Sequence, residues 1–169
     1  MKYINLDKNK NISAISSFPI SNDYIEIDEN IDISYYEYDK NSNELKINVD
    51  KFREKNLIEI NNTFKEKIIQ GTFKSKTLNK NIYCRRNNEL NDIQDLEIII
   101  NRMIINNLDK TKFYTIDGVV YISLDQGKEV LEEMRNYFFE LNNKKNKLIQ
   151  QNNLAKTIEE FKNITWVWV

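Results

Sequence analysis

Residues 113–166 read FYTIDGVVYISLDQGKEVLEEMRNYFFELNNKKNKLIQQNNLAKTIEEFKNITW, and the order of signals in them decides the fold. Phe113-Tyr114 begins an aromatic strand. Asp117-Gly118 is a strong turn signal, because both residue types tolerate positive φ in a tight hairpin. Tyr121-Ile122 continues as the returning strand, so a hairpin is expected over 112–123. Ser123-x-x-Gln126 has the spacing of a capping box and opens a long helix. Gly127 in its first turn costs about 1 kcal/mol against Ala, which predicts a loose start. Leu131, Met134, Phe138, Leu141 and Leu148 then recur at 3-4 spacing. Val130 and Tyr137 widen this stripe and Lys145 interrupts it, the pattern of a helix in a globular core rather than a narrow coiled-coil seam. Asn152-Asn153 is expected to break the helix, and Thr157-x-x-Glu160 to cap a short last one.

Working outward, Asn91-x-x-Gln94 opens a helix to about Asn106, with Ile93, Leu96, Ile100 and Met103-Ile104 as its apolar stripe. Residues 72–86 read as another hairpin, with Phe73 and Ile82-Tyr83 as apolar contacts. Asp50 is the expected N-cap of a helix over 51–70 whose face is Phe52, Leu57, Ile60, Phe64 and Ile68, and Gly71 stops it. Residues 1–49 read as β structure. Lys2–Leu6 and Ile12–Phe18 flank a polar turn, and Pro19 ends the second strand. Ile25 and Ile27 share one strand face. Residues 35–38 and 44–49 flank a loop at 39–43. The expected fold is α+β. A small antiparallel β N-terminal unit (1–49) precedes an α+β domain (50–169) of hairpins packed with three to four helices, including one long C-terminal helix.

The pieces Phe113-Tyr114, Asp117-Gly118, Tyr121-Ile122, the helix over 131–148, Thr157 to Glu160, and Trp166 follow one another as in a phage tail-associated family. That family has a C-terminal domain without an assigned activity, found in tail-fibre, tail-fibre-assembly and other tail proteins. The chain resembles it over about 51–166, and more weakly in the β unit. The resemblance implies a non-enzymatic tail protein at the fibre or baseplate end, with a tail-fibre or baseplate protein as partner and a second copy of this chain as a further candidate. It implies a location in the virion tail, or in the host cytoplasm during assembly. A tail-fibre assembly chaperone, a carboxylate-based tail-tip glycosidase and a host binding module unrelated to phage are the other readings.

Composition narrows the chemistry. The chain has no His, three Gly and one Cys. A Ser-His-Asp triad, a His-bound zinc site, a glycine-rich phosphate loop and an internal disulfide cannot be built from it. No cofactor, catalytic residue or metal site is expected. Cys84, between apolar neighbours and Arg85-Arg86, reads as a semi-buried thiol. Glu26/Asp28, Glu132/Glu133 and Glu159/Glu160 are the carboxylate pairs that glycoside hydrolysis would need. Adjacent carboxylates on a helix do not face each other, and Glu26 and Asp28 lie on the polar face of a strand. The loop from Asp39 to Glu44 superficially resembles a calcium loop but lacks its central Gly and twelfth-position Glu, where Asp50 stands. Its better reading is a β-turn.

The 25 basic and 26 acidic residues nearly cancel. Lys144-Lys145-Asn146-Lys147 and Arg85-Arg86 read as solvated surface, so no nucleic-acid partner is expected. No apolar run approaches the roughly 18 residues of a membrane helix, and the N-terminus lacks the apolar run of a secretory signal. A soluble protein made in the cytoplasm and without a membrane partner is expected. The chain closes with Ile164-Thr165-Trp166-Val167-Trp168-Val169, an alternating apolar strand beyond the family's terminal Trp. Trp166, Val167, Trp168 and Val169 are the candidate partner-binding residues. Two readings stand side by side: this strand joins the chain's own hairpin sheet, or it docks on a partner by strand addition or Trp anchors.

Overall fold

A computed structural model describes residues 1–28 and 32–166. The fold is α+β, with small antiparallel sheets and helices that include one of 31 residues. Backbone contacts group the chain into two compact units. The first holds Met1–Asn56 with Asn152–Ile164, and the second holds Leu57–Gln151 with Thr165 and Trp166. Residues 50–56 and 152–164 thus cluster with the N-terminal β elements rather than with the domain expected to start at 50.

In the first unit, β1 (Lys2–Leu6) is the centre of a three-stranded antiparallel sheet, between β2 (Ile12–Ser16) and β3 (Tyr24–Ile27). Ile4 pairs with Ile15 on one side and Ile25 on the other. The β1–β2 register shifts between Asn5 and Leu6, and Ile4, Asn5 and Leu6 are all buried. Burying the Asn5 amide is tolerated because each side is satisfied. Its nitrogen donates to the Ser16 hydroxyl at 2.9 Å, and its oxygen accepts from the Ile20 and Ser21 N–H groups. The expected Ile25/Ile27 face packs in one cluster with Ile4, Leu6, Tyr38 and Leu45. A short 3-10 turn (Ile33–Tyr35) leads into the hairpin of β4 (Tyr36–Asp39) and β5 (Glu44–Ile47). Lys46 pairs with Asp39, and the Asn41 N–H adds to it, holding the Asp39 carboxyl down to about 2. The residues read as a β-turn form a hairpin loop over 40–43, closed by an i to i+4 bond from the Asn43 N–H to the Asp39 carbonyl at 2.9 Å, with Asn43 at φ 61°.

Helix α1 (Val49–Ile69) begins two residues before its expected start, because Asn48 is the cap. The Asn48 side-chain oxygen accepts from the Lys51 N–H at 3.0 Å. Asp50, the expected cap, lies in the first turn and pairs with Arg53. Its inward face departs from the expected one at Leu57, which is 37% exposed. Asn56 is half-buried instead, donating to the Phe161 carbonyl at 3.4 Å. A second cluster forms around Phe52, Ala155 and Phe161, with Tyr35, Ile47, Val49, Ile158 and Ile164 against it. Phe161 comes from α4 (Ile158–Lys162), which has the expected capping box: Glu160 N–H to Thr157 hydroxyl, and Thr157 N–H to Glu160 carboxylate.

The second unit is built from the C-terminal part of α1, the hairpin β6 (Thr72–Ser75) and β7 (Lys80–Tyr83), α2 (Asp92–Ile105), the hairpin β8 (Lys110–Thr115) and β9 (Gly118–Ser123), and α3 (Leu124–Leu154) up to Gln151. Phe73 pairs with Ile82 as expected. The core joins Ile82, Leu96, Ile100, Phe113 and Ile122 to the α3 stripe of Val130, Leu131, Met134, Phe138 and Leu141. Leu148 is buried as well, while Ile104 leaves its expected stripe and is 54% exposed. The α2 cap is Asn91, whose oxygen accepts from the Gln94 N–H.

The start of α3 is not loose. Ser123 and Gln126 bond each other's N–H reciprocally, at 3.0 and 3.2 Å. Gly127 lets the helix approach α2, since a Cβ there would sit 3.3 Å from an Ile100 side-chain carbon. The β8–β9 turn is centred on Ile116-Asp117, one residue before the expected Asp-Gly, with Thr115 paired to Gly118. Only Gly118 in it has positive φ, at 119°, so this is not the Asp-Gly turn in which both central residues are left-handed. Helix α3 also runs through the expected break at Asn152-Asn153 to Leu154. Asn152 is buried and donates to the Arg53 carbonyl at 2.9 Å, an interaction that rewards its helical position. Ile164, Thr165 and Trp166 lie in no strand, so the described half of the expected C-terminal strand is irregular.

Candidate functional site

Trp166 is half-buried against the second unit's core, with its ring 6.4 Å from that of Phe64 and nearly parallel to it. Lys145, the residue that interrupts the α3 stripe, places its ammonium 4.6 Å from the centre of the same Phe64 ring. A cation over an aromatic face is favourable, and its methylene stem covers apolar surface, so Lys145 fits a packed stripe. Among the described residues the buried Trp166 indole N–H has no hydrogen-bond partner. Val167, Trp168 and Val169 lie outside the described residues.

The helical carboxylates considered for catalysis are held in structural contacts, while Glu26 stays on the exposed face of β3. Glu133 reaches from α3 to the β6–β7 turn. It accepts from the Ser75 hydroxyl at 2.5 Å and from the Thr77 N–H and hydroxyl at 2.9 and 3.0 Å. Burial pushes its carboxyl up, but these hydrogen bonds outweigh that and hold it below the ordinary glutamate value. A carboxyl lowered in the folded state stabilises above its unfolded pKa, and the contribution is lost as pH falls through the folded pKa. Glu133→Gln is therefore expected to cost about 1–2 kcal/mol at neutral pH. Below the ordinary glutamate value of 4.5 the difference from the parent should shrink. Urea melts at neutral pH and in acid check this, and a constant difference would refute it. Glu132 pairs with Arg135, Glu159 with Lys162, and Glu160 belongs to the α4 cap. Among the described residues no three His, Cys, Asp or Glu side chains gather to hold a metal ion.

Cys84 is fully buried, and its thiol is pushed up to about 12, mainly by burial and secondarily by the charge of Asp92. The thiolate is the reactive form, so this cysteine should be inert in the native protein. Ellman's reagent should label it only after denaturant is added; rapid labelling without denaturant would contradict the packing described.

Two features of the second unit face outward with recognisable chemistry. The first is the outer side of the β8–β9 hairpin. Phe113, Thr115 and Ile122 point to the core, so Lys112, Tyr114, Val119 and Tyr121 point away. Cross-strand pairs match Tyr114 with Val119 and Lys112 with Tyr121. Tyr114 is 70% exposed and Tyr121 63%, a continuous apolar and aromatic strip.

The second feature is a cavity of about 250 Å³. Leu96, Ile99, Phe113 and Met134 form its apolar lining, with Tyr83, Tyr114, Arg85, Asp92 and Asp95 completing it. Arg85 grips Asp92 through two parallel contacts, Nε to one carboxylate oxygen and Nη2 to the other, both at 3.0 Å. The Arg85 backbone N–H adds a third. The same guanidinium lies 4.1 Å from the centre of the Tyr83 ring. A larger and more open depression of about 460 Å³ lies by Lys65, Ile68, Arg86, Asn87 and Glu89.

Sequence reasoning missed the smaller cavity because its walls come from β7, α2, β8 and α3. The one local signal was alternation in β8, which turns Phe113 in and Tyr114 out. No family model, no curated protein and no solved structure matches this chain.

Proposed function

We propose that this chain is a non-enzymatic protein of a phage or prophage tail, at the fibre or baseplate end, acting through protein–protein contacts. The observation that carries this reading is the order of elements from Phe113 to Trp166. A tight hairpin leads into a long capped helix, a short helix opened by Thr157 and Glu160, and a Trp. That order is the basis of the resemblance to tail-associated proteins. The contact mode draws support from the outward Tyr114–Val119–Tyr121 strip, since aromatic residues are enriched in recognition surfaces. The non-enzymatic part draws support from Glu132, Glu133, Glu159 and Glu160, whose hydrogen bonds and ion pairs are those of caps, turns and helix surface.

Quantitative mass spectrometry of purified tail particles tests it. A fixed copy number relative to the fibre protein is the expected result. Absence from particles with co-purification alongside free fibre protein would identify an assembly chaperone instead. Absence from both would remove the tail setting.

A further inference from the structure

We infer that the cavity lined by Tyr83, Asp95, Ile99, Phe113, Tyr114 and Met134 receives a basic side chain, lysine or arginine, presented by a partner polypeptide. Its size comes first. At about 250 Å³ it is smaller than the roughly 300–1,000 Å³ of sites for drug-sized molecules, so it suits a side chain better than a cofactor. Its lining is apolar along Leu96, Ile99, Phe113 and Met134, which matches an aliphatic stem.

Charge decides the head group. Arg85 and Asp92 neutralise each other through their paired contacts. Asp95, exposed at the rim in the first turn of α2, is then the remaining charge of the lining; it acts on Arg85 only through the field, after Asp92, which holds Arg85 by direct contacts. The cavity is therefore negative by one unit, which favours a cation and disfavours an anion. One tyrosine ring at its wall suits the same ligand: Arg85 already stacks on Tyr83, whereas Tyr114 has an exposed ring free for a cation–π contact. A rival account gives Asp95 a local task, complementing the dipole of α2 from its first turn. That account leaves the cavity indifferent to the charge of what enters it.

The site deepens the protein-contact part of the proposed function and rests on that part, not on the tail setting. Its test uses the full chain, labelled with ¹⁵N, at low ionic strength. The probes are N-acetyl-lysine amide, N-acetyl-arginine amide and the uncharged N-acetyl-norleucine amide. The two basic probes should give saturable shift changes centred on Tyr83, Asp95, Ile99 and Tyr114, with dissociation constants on the order of millimolar. The norleucine probe should bind more weakly, and added salt should weaken the basic ones. Asp95→Asn should weaken the basic probes roughly three- to fivefold while the spectrum elsewhere stays that of the folded parent.

Equal binding of the norleucine probe, an unchanged affinity in Asp95→Asn, or no saturable shifts at these residues would each overturn the site. Tighter binding of a free polyamine than of either amide would overturn the polypeptide source. Failure here leaves the particle measurement untouched: a chain present at fixed copy number but blind to the probes keeps its setting and loses this site.

Discussion

Gly71→Ala should be the most damaging single methyl group added to this protein. Gly71 follows α1 and is buried, and its carbonyl accepts from the Cys84 N–H at 2.7 Å. A Cβ there would overlap the Cys84 carbonyl oxygen outright and lie 2.8 Å from the carbonyl carbon. Both obstacles are backbone, so no rotamer change relieves them. The chains would have to separate, giving up the Gly71–Cys84 bond that precedes the β6–β7 ladder at Thr72 and Tyr83. Overpacking of this kind costs about 3 kcal/mol at its upper range. For a chain of this size that is a fall of roughly 6–12 °C in melting temperature. The other two glycines set the scale. Gly118 has open space around it but φ 119°, so Gly118→Ala should cost about 1–2 kcal/mol in backbone strain. Gly127 faces the flexible side chains of Ile100 and Ile122, and the helix propensity gained, about 1 kcal/mol, offsets those contacts. Thermal melts should rank the variants 71, 118, 127 from least to most stable. Gly71→Ala melting with or above Gly127→Ala would refute the close approach.

The glycines also show what was legible in the sequence. Gly71 is readable as a helix stop, because helix termini are local and glycine tolerates their geometry. Its second task, the approach to Cys84, belongs to a hairpin partner and leaves no local trace. The same division runs through the fold. The capping boxes at Ser123/Gln126 and Thr157/Glu160 were readable because each is satisfied within four residues. The alternation of β8 and β9 and the 3-4 stripe of α3 were readable because they repeat one periodicity. The misreadings at Asn152 and Leu57 share a cause. Asn152 stays helical because its amide meets the Arg53 carbonyl, and Asn56 takes the inward place expected of Leu57 because its amide meets the Phe161 carbonyl. Both bonds cross most of the chain, and intrinsic preference is a weak prior against such contacts. The cavity around Asp95 was hidden for the same reason. In sequence Asp95 is an ordinary acid in a helix's first turn, and only the fold sets it beside Tyr83, Phe113 and Tyr114.

Phe161→Ala tests the other long-range feature, the inclusion of residues 152–164 in the first unit. Phe161 is almost wholly buried, and its ring stacks on Phe52 at 5.1 Å between centres, 12° from parallel. Phe52 in turn stacks on Tyr35 at 3.8 Å. Ala155 is the third buried member of this cluster, so removing Phe161 takes away one of its two large buried side chains. Truncating a buried Phe costs about 3–5 kcal/mol, a large share of the 5–15 kcal/mol that holds a typical domain together. The substitution leaves the Thr157–Glu160 cap and the Phe161 carbonyl that Asn56 donates to, so the loss isolates the ring. Hydrogen exchange should locate it. Amides of β4, β5 and the first turns of α1 should lose protection, although they lie at the opposite end of the sequence from residue 161. Phe18→Ala, at an exposed position, is the matched control and should stay within about 0.5 kcal/mol of the parent. Adding Phe52→Ala completes a double-mutant cycle, in which the two rings should couple by about 0.5–1.5 kcal/mol. Full protection of β4 and β5 in Phe161→Ala, or zero coupling in the cycle, would mean that residues 152–164 do not complete the first unit's core and that its stability is held by the sheet of β1, β2 and β3 alone.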